Sequence, residues 1–228
     1  MQKFYNLVRG ALTLFFVGVF LCGCASNAVV PEAGENAPEM LMEEGLNDFE
    51  QGYYQGATEA FQKIIDRYPY SKYYVEAELK LADALYHKRS YDEAFDAYNE
   101  FQRLHPKNIN IPYVIYQKGM CHFTQVGTLD REQSHTLQAK EAFELLTDKF
   151  PQTEYADKAT WKIRVCYAIL AGSELYVGHF YFKMKKYKAA MNRYRYILEN
   201  YPDLGQYHEA LEYLIKCKEK LAEENKAS

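Results

Sequence analysis

"GYYQGATEAFQKIIDRYP" fills residues 52–69, and its pattern returns three more times along the chain. "RSYDEAFDAYNEFQRLHP" (89–106) and "KKYKAAMNRYRYILENYP" (185–202) align with it without a gap. "HTLQAKEAFELLTDKFP" (135–151) joins them with a looser start. In register, a tyrosine opens three of the copies (Tyr54, Tyr91, Tyr187), and a small residue follows in all four (Ala57, Ala94, Ala139, Ala190). Four positions later comes an aromatic residue (Phe61, Tyr98, Phe143, Tyr194), and three beyond it an apolar one (Ile64, Phe101, Leu146, Ile197). Spacings of three and four put these side chains on one face of an α-helix. Pro69, Pro106, Pro151 and Pro202 close the copies, because proline lacks the N–H a helix needs and clashes with the preceding turn.

Each such helix has an earlier partner. "VEAELKLADALYHK" (75–88) and "YVIYQKGMCHFTQ" (113–125) are amphipathic and carry a small residue, Ala82 or Gly119, where two helices would approach closely. A small residue in a first helix, an aromatic-rich second helix and a terminal proline resemble the tetratricopeptide repeat, whose period is about 34 residues. The chain is therefore expected to be an all-α tetratricopeptide-repeat solenoid of about four and a half helix-turn-helix repeats. Pro69 to Pro106 spans 37 residues, but Pro106 to Pro151 spans 45 and Pro151 to Pro202 spans 51. The first excess falls at the polar "VGTLDREQS" (126–134), a longer loop inside repeat three. The second has no turn signal except Gly172-Ser173. Fourteen extra residues make close to four turns at 3.6 residues each, so one long first helix is expected in repeat four, with Gly172 as its candidate bend. "GQYHEALEYLIKCKEKLAEE" then supplies a single capping helix, which solenoids need for solubility.

The amino-terminal residues place the protein in a cell envelope. Lys3 and Arg9 head an apolar stretch, Ala11 to Leu21, too short to span a bilayer and typical of a secretory signal. The run ends Leu21-Cys22-Gly23-Cys24, which resembles a bacterial lipobox, and the resemblance implies cleavage before Cys24 with acylation of its thiol and new amine. Cys22 does not fit, since Leu21 would then stand where a small residue is needed. Two or three acyl chains on one residue anchor stably. A plain secreted protein cut nearby is the alternative. Metal or redox chemistry at Cys-x-Cys lacks a second ligand pair at usable spacing. The chain thus divides into a signal peptide (1–23), a lipidated tether (24–38), the solenoid (39–222) and a polar tail (223–228). The tether is small-residue and proline-rich, and reaches about 45 Å when extended.

Removing the signal leaves 25 basic and 31 acidic residues, a balance that gives no support for nucleic-acid binding. Cys121, Cys166 and Cys217 lie among apolar neighbours and read as small buried hydrophobes, though a periplasmic disulfide between two of them stays open. None of the six histidines forms an H-E-x-x-H pair, and G-x-S-x-G and glycine-rich phosphate loops are missing, so neither enzyme chemistry nor a cofactor is expected.

"SELYVGHFYFKMKKYKAAMNRYRYILENYP" (173–202) resembles the corresponding stretch of the BamD family, lipoproteins of the β-barrel assembly machinery. "YPYSKYYVEA" and "FPQTEYADKA" resemble that family's inter-repeat segments, and the likeness covers 39–222. It implies a scaffold on the periplasmic face of the outer membrane. Carboxy-terminal repeats would bind a POTRA domain of the BamA-like barrel subunit; amino-terminal repeats would offer a groove to other assembly lipoproteins or to unfolded outer-membrane protein substrates. The Asn192-Arg193 pair would face the barrel subunit, with Lys186 in the same basic run (Lys183, Lys185, Lys186, Lys188, Arg193, Arg195). Arg193 is the sharper candidate, because a planar fork beside a core stripe suits a partner's carboxylate. Tyr74, Glu78 and Tyr86 are the candidate groove residues, the alternative being that the rings simply pack between helices. A periplasmic adaptor for cell-wall and division coupling, or for a secretion or pilus system, remains the competing reading.

Anchoring is expected to depend on Cys24. Cys24→Ser should yield a folded soluble protein or an uncleaved precursor on fractionation. Recovery of mature Cys24→Ser protein with the outer membrane would rule out the lipobox.

Overall fold

Tyr68, His105, Phe150 and Tyr201 each precede a closing proline, and the proline ring pushes the residue before it out of the helical region. All four have φ between −135° and −123°, and each donates its N–H to the carbonyl four residues back. The helices therefore stop two residues before the proline, with the intervening residue as the cap.

The computed structural model describes residues 37–227, where the regular elements are helices, as the periodicity predicts. Five form the first helices of repeats: α1 (Ala37–Glu50), α3 (Tyr74–His87), α5 (Ile111–Phe123), α7 (Glu154–Lys183) and α9 (Gln206–Ala227). Four pair with them as second helices: α2 (Tyr54–Arg67), α4 (Tyr91–Leu104), α6 (Ser134–Lys149) and α8 (Tyr187–Asn200). From α2 onward, each helix packs on the next in sequence. Two boundaries differ from the sequence reading. Ala37 and Pro38 are already helical, a first-turn proline being compatible with a helix start, and α9 carries the polar tail as helix through Ala227. The signal peptide, Cys24 and the rest of the tether lie outside the described residues.

Three of the four turns inside repeats are the same. Gly52, Arg89 and Lys185 have φ of 80°, 68° and 58°. The next residue in each sends its N–H back five positions, Tyr53 to Asp48, Ser90 to Leu85 and Lys186 to Tyr181. This is the Schellman closure, which needs one residue in the left-handed region. An aromatic pair staples each turn: Phe49–Tyr54, Tyr86–Tyr91 and Phe182–Tyr187, all with ring centroids 5.5 Å apart and edge-on. Repeat three replaces this turn with its longer loop.

The core is built from one contact, repeated. A Cβ on Gly45 would come within 2.6 Å of the Phe61 ring, on Gly119 within 2.5 Å of Phe143, and on Gly178 within 2.6 Å of Tyr194. Ala82 holds the equivalent place in repeat two, where it and Tyr98 are fully buried in one cluster. The four rings have no exposed surface. Burying each stabilises by roughly 1.5–3 kcal/mol.

α7 runs uninterrupted for 30 residues, about 45 Å. Gly172 does not end or divide it. A Cβ there would stand 3.2 Å from Leu129, whose loop lies across the helix, and Ser173 Oγ donates to the Leu129 carbonyl at 2.8 Å. The long loop and the long helix therefore fit each other. Below this crossing the core divides. Ala159, Ile163 and Cys166 belong with α3–α6, whereas Leu170, Ala171 and Leu175 belong with α8 and α9.

Ordinarily Gly→Ala inside a helix stabilises by about 1 kcal/mol. Gly178→Ala should instead destabilise by roughly 1–3 kcal/mol, because the buried Tyr194 ring or its helix must move. A urea titration of the folded protein checks the sign.

Candidate partner-binding site

The hydroxyls of the two core tyrosines need partners, and the residue after each small residue supplies one. Tyr98 donates to Asp83 Oδ1 at 2.7 Å, and Asp83 follows Ala82. The Tyr194 hydroxyl lies 3.0 Å from Nδ1 of His179, which follows Gly178. Where the ring is phenylalanine, the same position is apolar: Leu46 after Gly45 and Met120 after Gly119, both packed against the core. His179 Nε2 also meets Glu209 of α9 at 3.1 Å, which ties the capping helix to repeat four.

Asp83 takes a second hydrogen bond, 2.6 Å from the Tyr113 hydroxyl of α5, and Lys80 stands 3.9 Å from its other oxygen. Burial raises the carboxyl above its usual range, and the two phenols and Lys80 draw it partly back. Nothing in the sequence singled out this network. Its signal is an acid adjoining Ala82 on an otherwise apolar stripe.

Of the groove candidates, Glu78 is mostly buried and lies 2.5 Å from His105 Nε2, at the end of α4. Tyr74 is half-buried one turn away, its phenol raised by burial and then by the Glu78 charge. Tyr86 has a second role inside the fold. It is the repeat-two member of the staple that Phe49 and Phe182 form elsewhere, it packs against the core, and burial pushes its phenol up to about 12. Tyr74 and Glu78 are thus neighbours, and Tyr86 is partly buried against the core of its repeat.

At the other end, Lys183, Lys185, Lys186 and Lys188 are exposed and, among the described residues, make no ion pair. Lys186 caps α8, and Asn192 is exposed one residue before Arg193. Arg193 finds an acid after all. Its Nη1 donates to both oxygens of Glu174 on α7, at 3.0 and 3.2 Å. Sequence reading missed this carboxylate because it is 19 residues away. The Arg193 side chain is 45% exposed, and its Nε and Nη2 hydrogens make no bond among the described residues. An arginine presents five N–H donors in a fixed fork, so its outer edge stays open to another carboxylate.

Cys121, Cys166 and Cys217 are buried free thiols rather than a disulfide. Burial pushes Cys121 up to about 12 and Cys166 up to about 11, so both stay protonated. No helix of the described residues is long and apolar enough to cross a membrane.

With this geometry in hand, comparison with known proteins places the chain. The family model described as "YfiO: Outer membrane lipoprotein" matches residues 34–228. The chain belongs to that family. "Outer membrane protein assembly factor BamD" of Rickettsia prowazekii is 34% identical over 216 residues, 92% of this chain and 84% of that protein. The BamD of Caulobacter vibrioides is 30% identical over 213 residues, 92% of this chain and 70% of that one. Among solved structures, the first TPR domain of human RPAP3 is 21% identical with TM-score 0.46, covering 61% of this chain and 96% of that domain. MamA is 18% identical with TM-score 0.41, covering 84% and 95%. The YfiO match spans all four repeats and α9, so the surfaces described above lie within the family region.

Asp83 gives a pH prediction with a definite sign. A carboxyl whose folded value is raised binds its proton more tightly in the native state than in the unfolded chain. Its contribution therefore favours folding at acid pH and fades as pH rises through the raised value. Asp83→Asn should remove that component: the difference in urea midpoint between pH 5 and pH 7 should shift toward relatively greater stability at pH 7 in the variant. An unchanged difference would mean that the carboxyl titrates alike in both states.

Proposed function

We propose that this protein is a lipid-anchored scaffold of the outer-membrane β-barrel assembly machinery, standing on the periplasmic face of the outer membrane through Cys24. Its carboxy-terminal repeats bind a POTRA domain of the barrel subunit around Arg193, with Asn192 and Lys186 nearby. Its amino-terminal repeats receive unfolded barrel substrates or other assembly lipoproteins near Tyr74 and Glu78. It works by holding partners in place, without covalent chemistry.

The observation that carries this reading is the family match across the whole repeat array. The open outer edge of Arg193 supports the choice of contact. Glu174 holds the guanidinium in one orientation, and an exposed pair of this kind contributes only about 0–1 kcal/mol to folding. The arginine is thus aimed by its own chain while most of its hydrogen-bonding capacity is unspent. A partner carboxylate arriving at the fork would form the buried, charge-assisted pair whose loss costs roughly 2–5 kcal/mol.

Arg193→Glu should detach the protein from the barrel subunit in a membrane pull-down, with helicity and melting nearly unchanged, and Lys186→Glu should do much less. Equal retention of the subunit by both variants would return the basic run to a plain solvated face.

A further inference from the structure

One face of α7 continues past the neighbours that cover it. Tyr155, Lys162, Ile169 and Tyr176 recur every seven residues, close to two helical turns, and so share that face. At its start the face packs on α5. The Tyr155 ring lies 5.5 Å from Tyr113 and 5.9 Å from Tyr116, and Lys162 Nζ sits 4.0 Å over the Phe123 ring. Phe123 is the last residue of α5, and the loop beyond it crosses α7 at Gly172 and Ser173 through Leu129. After the crossing the same face carries Tyr176, Phe180 and Met184, spaced by four and 51%, 55% and 55% exposed. About half of each side chain is left open. The cause is the extra four turns, which carry this half of α7 beyond the end of α5.

The strip is bordered by positive charge. Lys183 lies seven residues after Tyr176 and therefore on its side of the helix, and Lys185, Lys186 and Lys188 follow in the turn and the start of α8. All four are exposed and unpaired among the described residues. Tyr176 is also two residues after Glu174, which puts it about 200° around the helix, on the far side from the Arg193 pair. The Tyr176 end of the strip therefore faces away from the Arg193 pair, and Lys186 is the one residue that borders both surfaces.

We propose that Tyr176, Phe180 and Met184 form a docking strip for an acidic amphipathic helix of a partner protein, laid beside α7 in line with α5. Its apolar side chains cover the strip, and its carboxylates meet Lys183 and the lysines of the following turn. Charge complementarity selects an acidic occupant, since these lysines are uncompensated within a chain of net charge −4. A line of side chains about 12 Å long on a helix wall, bounded at one end by the Leu129 loop, fits a helix rather than a flat lipid surface.

The test places photoreactive benzoylphenylalanine at Phe180 of the full chain in its native membranes, and identifies the captured segment by mass spectrometry. The expected product is a protein segment with acids beside apolar residues at spacings of three and four. Its yield should fall about fivefold or more when Lys183→Glu and Lys185→Glu are added, and less with Lys183→Gln and Lys185→Gln, which keeps charge reversal separate from misfolding. A phospholipid adduct, a segment without acids, a yield indifferent to the lysines, or no adduct at all would each overturn the assignment.

Discussion

The ring of each second helix lying flat against a small residue of the first helix is the contact on which this molecule is built. It fixes how closely the two helices of a repeat approach, because a glycine at positions 45, 119 and 178 leaves room for a ring and nothing larger. It also sets what may follow the small residue. A phenylalanine ring is satisfied by Leu46 or Met120, whereas a buried tyrosine leaves a hydroxyl that must be paired, and Asp83 or His179 stands there to pair it. Unpaired, such a group costs roughly 1–3 kcal/mol. Each tyrosine thus brings one polar residue inside, and those polar residues reach onward, Asp83 to the next repeat through Tyr113 and His179 to α9 through Glu209. In repeats two and four the residue that satisfies the buried hydroxyl also carries a hydrogen bond onward to the next helix pair.

The two irregularities of the array compensate each other. Eight added residues in repeat three make a loop, fourteen in repeat four lengthen a helix, and Leu129 of the loop rests in the space that Gly172 of the helix leaves open. The helix must also stay in phase. Fourteen residues turn through nearly four full circles, so α7 can give one side to α6 at its start and a neighbouring side to α8 at its end as one continuous helix. The cost is apolar surface left beyond the overlap.

Much of this was legible in the sequence because it depends on residue type at fixed short spacing. The closing prolines, the ring positions and the helical face they share follow from the three-and-four rhythm, and the length of α7 followed from a stretch with no breaker except one glycine. Contacts between distant positions were not legible. Gly45 and Gly178 stand in first helices too varied to align, Glu174 meets Arg193 from 19 residues away, and Ser173 meets Leu129 from 44. Each depends on how a turn aims one helix at another, which only the assembled repeat determines. Tyr86 shows the opposite hazard, since a tyrosine suited to peptide contact is equally suited to closing a turn, as its counterparts Phe49 and Phe182 do.

A solenoid normally loses structure as a row of coupled units, each stabilised by its neighbours, so cooperativity passes smoothly from end to end. Here the apolar interior is interrupted between Cys166 and Leu170, and α7 is the backbone that crosses the gap. Unfolding has a natural seam at that level. The amino-terminal repeats and the carboxy-terminal repeat with its capping helix share α7 as one strut, and the Leu129 contact and the bond from the Tyr167 hydroxyl to Glu144 of α6 are stitches across that level. Local opening of one apolar cluster then reaches the other only through α7 and these few contacts, so the two ends of the array are coupled more weakly than neighbouring repeats of an uninterrupted solenoid.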